Sequence, residues 1–377
     1  VHNRKMKYLG LFLAVFITGY HVFSQWQVFS SPTDMRAFGK AYANSQYVKG
    51  EASTQKVDDA AVYTYAASAY MRGEDPTTIN FEHPPLGKYL FGVSYLLTGN
   101  ILWANAVALF LVLFFLDVLM RRVSLMPLLR AIVLLLFGLQ EMIHVHMRLG
   151  LMDLMVLCAS VIFFVALFSQ SPKQNPKWKK WHGVGVGLVL GLLASLKYPV
   201  PSIGMYVAMM VWWYVRQKTY RQIVVASLVA VSMYMFTYGV YFLHGHSLID
   251  FVKFEWYRFR WWTGDRSMPK FLILQTLFTG GFPAWWDKGA RYVETEWSVL
   301  WPVAYIAQFI GLPVMRKNKE LQMYFVYGTG FLMLFAVGAA SFGRYLQQLL
   351  PFWLIIAACG AQWVYTQVKK KNYAKQT

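Results

Sequence analysis

The sequence predicts an all-α polytopic membrane protein of about ten transmembrane helices, with juxtamembrane helices in its first outer loop. Composition is the first reason. Hydrophobic residues make up 57% of the chain and aromatic residues 18%, with only 14% charged, whereas soluble domains run about half apolar and about a quarter charged. Length is the second. Ten stretches, at 8–24, 102–120, 126–143, 151–169, 183–196, 201–215, 223–243, 298–314, 322–340 and 346–366, reach or approach the roughly 20 apolar residues that a spanning helix needs. The third is where positive charge falls: short basic clusters at 4–7, 121–130, 173–180, 216–221, 316–319 and 369–371 occupy alternate connections.

Basic clusters stay on the cytoplasmic side. Both termini are therefore expected in the cytoplasm, with the long loops 25–101 and 244–297 outside, together with the turns near 144–153, 197–200 and 341–345. A net charge of +19 would point to nucleic acid in a soluble chain; here it sets topology, and no nucleic-acid partner is expected. Cys158 and Cys359 both lie in apolar spans, which argues against a disulfide framework and against a thiol nucleophile. The first span is followed by Ser24-Gln25-Trp26-Gln27 rather than a small-residue cleavage site, so it reads as a retained helix. Val1 in place of Met reads as an alternative bacterial or archaeal start codon or a trimmed chain; the expected location is a prokaryotic plasma membrane. With no repeat, low-complexity segment or interdomain linker, residues 1–377 read as one membrane domain.

This topology gathers the unusual polar residues at the outer interface: Asp58, Asp59, Glu82, His83, Lys88, His144, His146, Arg148, Asp153, Lys197 and Arg344. Charges at membrane depth cost several kcal/mol unless paired or hydrated, and so mark function more often than structure. Asp58-Asp59 open an alanine-rich run, 60–71, that ends near Gly73. That pattern predicts a short helix whose Val, Tyr and Met side chains rest on the membrane surface. The same acids also suit a simple cap and a dipole partner. Glu82 and His83 precede Pro84-Pro85-Leu86-Gly87-Lys88. A residue before proline is held extended and a second proline can open a helix, so the pair stands on a stiff strut.

From these residues the chain resembles the GT-C glycosyltransferases, specifically the protein O-mannosyltransferase (family 39) and aminoarabinose transferase group. In that superfamily an acidic pair begins a juxtamembrane helix in the first outer loop. The mannosyltransferases then show a His-Pro-Pro-Leu-Gly-Lys element, matched by His83 to Lys88. An Arg shortly before an Asp is matched by Arg148 and Asp153, a Gly-Leu-Ala-x-x-Lys segment by 191–197 with one extra residue, and a Gly-Arg-Tyr element by Gly343-Arg344-Tyr345 before Pro351. The matches keep family order over most of the chain. Two departures stand out: the acidic pair is usually Asp-Glu, and the chain is short and lacks the luminal insertion of eukaryotic members.

The resemblance implies a GT-C fold and an inverting transfer of a sugar, mannose or another monosaccharide, from a polyprenyl phosphate to a hydroxyl on protein, lipid or glycan at the outer face. A donor already carried across on lipid fits the lack of a Gly-rich nucleotide loop. Asp58 is the implied base, with Asp59 and Asp153 as neighbours that position the acceptor or raise its pKa. Lys88, Arg148, Lys197 and Arg344 are candidates to hold the donor phosphate, Arg344 foremost for its bidentate fork. Glu82 and His83 are of types that suit a divalent ion such as zinc, manganese or magnesium. His144 and His146, two apart, point to different sides of a helix. The aromatic and Arg-rich region 254–262, with Trp285-Trp286 and 297–301, reads either as a headgroup-level belt or as a loop closing over the site. A transporter or lipid flippase would also carry outward charges but would more often show a repeat, and a scaffold would not need the acids.

Overall fold

A computed structural model describes residues 8–169, 176–197, 200–217, 219–264, 269–284, 287, 289–338 and 341–374. The 4–7 cluster, the start of the 173–180 cluster, Trp285 and Trp286 lie outside the described residues. In chain order the principal helices are α1 (Leu9–Ser24), α2 (Met35–Ala43), α3 (Asp59–Met71), α4 (Leu86–Thr98), α5 (Trp103–Arg122), α6 (Pro127–Gly138), α7 (Glu141–Arg148), α8 (Asp153–Phe168), α9 (Pro176–Leu196), α10 (Val200–Met210), α11 (Tyr220–Thr237), α12 (Leu248–Gly264), α13 (Leu300–Ala307), α14 (Lys319–Val337) and α15 (Leu350–Ala374).

The described residues of each of the ten predicted stretches fall mainly on helix. Among the described residues three helices, α5, α11 and α14, are long and apolar enough to cross a membrane, and α6 with α7 makes a fourth if the bent pair is one span. Shorter apolar helices cover Leu9–Ser24, Asp153–Phe168, Trp181–Leu196 and Leu300–Met315. The chain is thus a helical multi-pass membrane protein; length and apolarity alone do not establish ten spans.

Two predicted segments differ in detail. The 126–143 stretch is not one straight span: α6 ends at Gly138 and α7 departs at 54°. No proline marks that break, which is why the sequence reads as continuous. The 244–297 loop is not irregular either. It carries α12, a helix at Leu272–Thr279, and a hairpin in which Gly281, Phe282 and Pro283 pair antiparallel with Val293, Tyr292 and Arg291.

The chain forms two compact units. One comprises Val1–Thr18, Phe110–His144 and Met268–Thr377; the other comprises Gly19–Leu109 and Val145–Ser267. In the first, buried Asp117 accepts Arg130 at 2.7 Å and pairs with Arg121 at 2.7 Å. Gly10 sits so close that an added Cβ would meet the Asp117 carboxylate at 2.1 Å, so α1 packs on this charge cluster only because residue 10 lacks a side chain. In the second unit, α9 presents Gly183, Gly187 and Gly191 to α11. A Cβ at the last two would meet the carbonyl oxygens of Ala226 and Ala230 at 2.5 and 2.6 Å. Small residues four apart let two membrane helices approach to backbone contact.

Candidate active site

Helix α3 begins as its sequence predicts. Asp58 is extended (φ −85°, ψ 174°), and its Oδ1 accepts the Ala61 N–H at 2.8 Å. The helix does not rest on a surface as expected, however. Eight of its thirteen residues are buried, from Ala60 to Tyr70. Its alanines admit close neighbours: Gly150 packs where a Cβ would meet Thr64 Oγ1 at 2.8 Å, and Gly92 of α4 lies 3.2 Å by the same measure from the Ala67 carbonyl. Asp58 itself remains exposed and Asp59 is half-buried.

The strut is also real, with α4 opening at Leu86 directly after Pro84-Pro85. Lys88, on its first turn, is fully buried. Its ammonium donates to Asn80 O at 3.2 Å, Asn80 Oδ1 at 3.0 Å and His83 O at 2.7 Å. Burial, and then the charge of Arg258, pushes it well below the usual lysine range, with Glu82 opposing. Lys88 therefore ties the strut to its own helix, and in this geometry its charge faces inward.

His83 is buried between the rings of Tyr63 and Trp262, at 5.7 and 5.6 Å. Burial, then the charges of Lys197 and Lys88, hold the imidazole well below its ordinary value; Asp59 opposes, as does a hydrogen bond with the Lys197 backbone. Lys197 in turn donates to both Asp153 oxygens, at 2.9 and 2.7 Å, with both side chains buried. Asp59, His83, Lys197 and Asp153 thus form one interacting group. Two opposite charges so placed largely neutralise each other, and each makes the other's burial tolerable.

Arg148 differs from these. It ends α7 exposed, with no hydrogen bond or ion pair among the described residues. It lines a cavity of about 510 Å³ together with Asp58, Asp34, Gln27, Phe38 and the Leu149-Gly150 backbone. Of the residues singled out from sequence, Asp58 and Arg148 are the two on this wall. His144 is half-buried and His146 buried.

The sequence reading missed the role of α12. Trp262 donates through Nε1 to the Glu82 carbonyl at 3.1 Å, and Phe81 contacts Tyr257 and Trp261 at 5.5 Å each. Arg258, buried, donates to Tyr238 at 2.7 Å and also bonds Tyr234 and Glu255. Tyr257, Trp261 and Trp262 of α12 therefore clamp the strut. A tyrosine pair four apart facing a Glu-x-x-Arg pair was the available signal.

Arg344 belongs to the other unit. Its guanidinium lies over the Phe342 and Tyr345 rings at 5.0 and 5.6 Å. The Gly343 N–H before it donates to Glu294 at 2.6 Å, a residue that sequence alone did not single out. Burial and the neighbouring Glu296 push the Glu294 carboxyl up to about 7.

Glu82 and His83 were expected as metal donors. Among the described residues no group of three or more His, Cys, Asp and Glu side chains could hold a metal ion, and the His83 ring is already engaged by Lys197. These residues do not fit a metal centre by themselves, and no step below runs through one.

No protein-family model matches the sequence, and no curated protein does. Two solved structures of ArnT from Cupriavidus metallidurans are similar in fold. The one bound to undecaprenyl phosphate superposes with a TM-score of 0.60 at 16% identity, covering 81% of this chain and 55% of that one. The apo form gives 0.58 and 15% over the same shares. The chain spans about half the length of these ArnT chains, and over that span it shares the fold that its motifs had led one to expect.

Proposed function

We propose that this protein is an inverting glycosyltransferase that moves a monosaccharide from a polyprenyl phosphate to a hydroxyl acceptor on protein, lipid or glycan. The observation that carries the reading is the wall shared by Asp58 and Arg148: an exposed carboxylate with one oxygen not hydrogen-bonded among the described residues beside a guanidinium with no partner there. The ArnT structure with undecaprenyl phosphate supports the donor class.

In this reading the acceptor oxygen attacks the anomeric carbon while the bond from that carbon to the phosphate oxygen breaks. Asp58 takes the hydroxyl proton late in the step. The lipid phosphate leaves with the bonding electron pair and needs no proton, only positive charge aimed at its oxygens. Arg148 supplies that charge as a planar fork, and Arg344 is a second candidate. Lys197 with Asp153, and Lys88, act by holding the strut and α3 in place. Asp59 tunes its neighbours through His83. The topology that goes with this chemistry has both termini cytoplasmic and the 25–101 loop outside. A Cys introduced at Ser53 should then be labelled from outside and one at Lys317 should not.

The direct test is incubation of purified protein with polyprenyl-phosphate sugars and mass analysis for released polyprenyl phosphate. Release that depends on Asp58 supports the reading. No release from any donor, with acceptor extracts present, overturns it.

A further inference from the structure

Arg344 stands on a turn, 341–345, that the 272–294 segment holds at two points. Thr276 donates its hydroxyl to the Ser341 carbonyl at 2.6 Å, and the Gly343 N–H donates to Glu294 Oε2 at 2.6 Å. Gly343 is packed so tightly that an added Cβ would meet Glu294 Oε2 and the Trp301 ring at 2.8 Å each. The two rings under Arg344 are braced as well. Phe342 meets Phe282 and Tyr292 of the hairpin edge-on at 5.7 and 5.6 Å, and Tyr345 stacks on Phe335 at 5.2 Å. A guanidinium held over rings presents its donors in the plane of the fork, the geometry that grips a phosphate bidentately.

A lone carboxylate accepting from Gly343 would be enough to brace this turn, but Glu294 does more. It is buried, and it is also hydrogen-bonded to the Glu296 carboxyl. Ionised carboxylates only accept hydrogen bonds, so a bond between two carboxyls requires that one of them carry a proton. Burial, then that bond and the Glu296 charge push Glu294 up to about 7, with the Gly343 N–H and Arg344 opposing. Burial and both carboxyls likewise push the Tyr292 hydroxyl up to about 12, again against Arg344. Tyr292, Glu294, Glu296 and Arg344 are therefore one interacting set, while Arg291 on the same strand donates to Thr279 at 3.1 Å. With one shared proton, the charge of the acid pair and that of Arg344 cancel. Without it one negative charge is left over, and a phosphate approaching Arg344 meets repulsion at short range.

We propose that Glu294 is a positioning residue for Arg344, and that Glu294 and Glu296 hold one proton between them when Arg344 binds the phosphate of a lipid phosphodiester, so that losing this proton weakens binding. The proton passes to and from water, and no bond of the ligand changes. The proposal rests on the transferase reading for the identity of the anion and adds the carboxyl pair that controls its affinity.

The test uses the full chain in nanodiscs and geranyl methyl phosphate, a diester with no sugar and no ionisation of its own near neutral pH. Binding is read by calorimetry, with empty nanodiscs as the blank. Wild-type affinity should fall about tenfold between about pH 6 and about pH 8, the loss expected when binding needs a proton held near 7. Glu294→Gln keeps an oxygen for the Gly343 N–H and leaves Glu296 as the one negative charge, so its affinity should stay at the wild-type low-pH value throughout. Glu296→Gln should flatten the profile in the same way, and Glu294→Ala, without the acceptor, should bind weakly at every pH. A role in folding alone would move the melting temperature of the Gln variants and leave the slope. In Arg344→Ala binding should be lost at both pH values. Infrared difference spectra of the wild type need no variant: binding at about pH 8 should raise a protonated-carboxyl band. A flat wild-type profile, a wild-type slope in either Gln variant, wild-type affinity in Arg344→Ala or the absence of that band overturns the proposal. Asp58-dependent release of polyprenyl phosphate beside a flat profile would remove the acid pair and leave the transferase standing. A Glu294-dependent slope with no release from any sugar donor would keep the pair and remove the transferase.

Discussion

Two sets of charged residues sit in the same unit, and they are built in opposite ways. Lys88 and the Asp153–Lys197 pair are buried, with their charges met by carbonyls or by each other. Asp58 and Arg148 are exposed on a cavity wall, with little or nothing of the protein to hold. The difference teaches that residue type and motif do not identify a reacting group. Lys88 belongs to the most specific motif in the chain, yet its ammonium is a structural tie. In the proposed reading the open wall meets the ligand and the buried set keeps that wall in place.

The comparison can be broken at several points. The largest effect should come from Asp58→Asn, with turnover falling about 10²–10⁴-fold, the range for losing a positioned general base; Asp59→Asn should be milder, and steady-state kinetics will show which acid carries the loss. Next in size is Asp153→Asn, which strands a buried ammonium and should destabilise the protein by about 3–5 kcal/mol. The double replacement Asp153→Leu with Lys197→Met should recover most of that in thermal unfolding. Arg148→Lys keeps the charge and loses the fork, so donor KM should rise about tenfold with unchanged melting, a difference of about 1.4 kcal/mol.

The smallest effect is one of pH. Burial holds His83 below its unfolded value of about 6.5, so the unfolded chain binds the proton more readily. Its contribution to stability is whole above pH of about 6.5 and is lost as pH falls toward the folded value. Melting temperature should drop on that side in the wild type and drop less in His83→Phe. An equal drop in both would show that His83 does not carry the dependence.

Much of this arrangement was legible in the residues. An Asp before an alanine run announced α3 and its cap, and Pro84-Pro85 fixed where α4 begins, because both signals act through local backbone chemistry. Asp34 carried the same capping signal before Met35 and could have been noticed. What could not be read was direction. Nothing in the spacing of Lys88 says that its ammonium turns toward Asn80, since that depends on the turn formed by 80–83. The clamp by α12 was hidden because Trp, Tyr and Arg in a loop look alike whether they face headgroups or a strut. The break after Gly138 lacks a proline, so periodicity runs through it.

The central claim is that the open wall reacts while the buried set supports it, and one paired measurement tests it most directly: turnover per folded molecule and thermal stability, taken together on Asp58→Asn and Lys88→Met. Asp58→Asn keeps its cap and should melt like the wild type while releasing almost no polyprenyl phosphate. Lys88→Met leaves three carbonyl oxygens without their donor and should melt well below the wild type, by at least about 1–3 kcal/mol in stability, while its folded fraction keeps the wild-type donor KM. The reverse pattern, a stable Lys88→Met that no longer binds donor beside an active Asp58→Asn, would contradict the account.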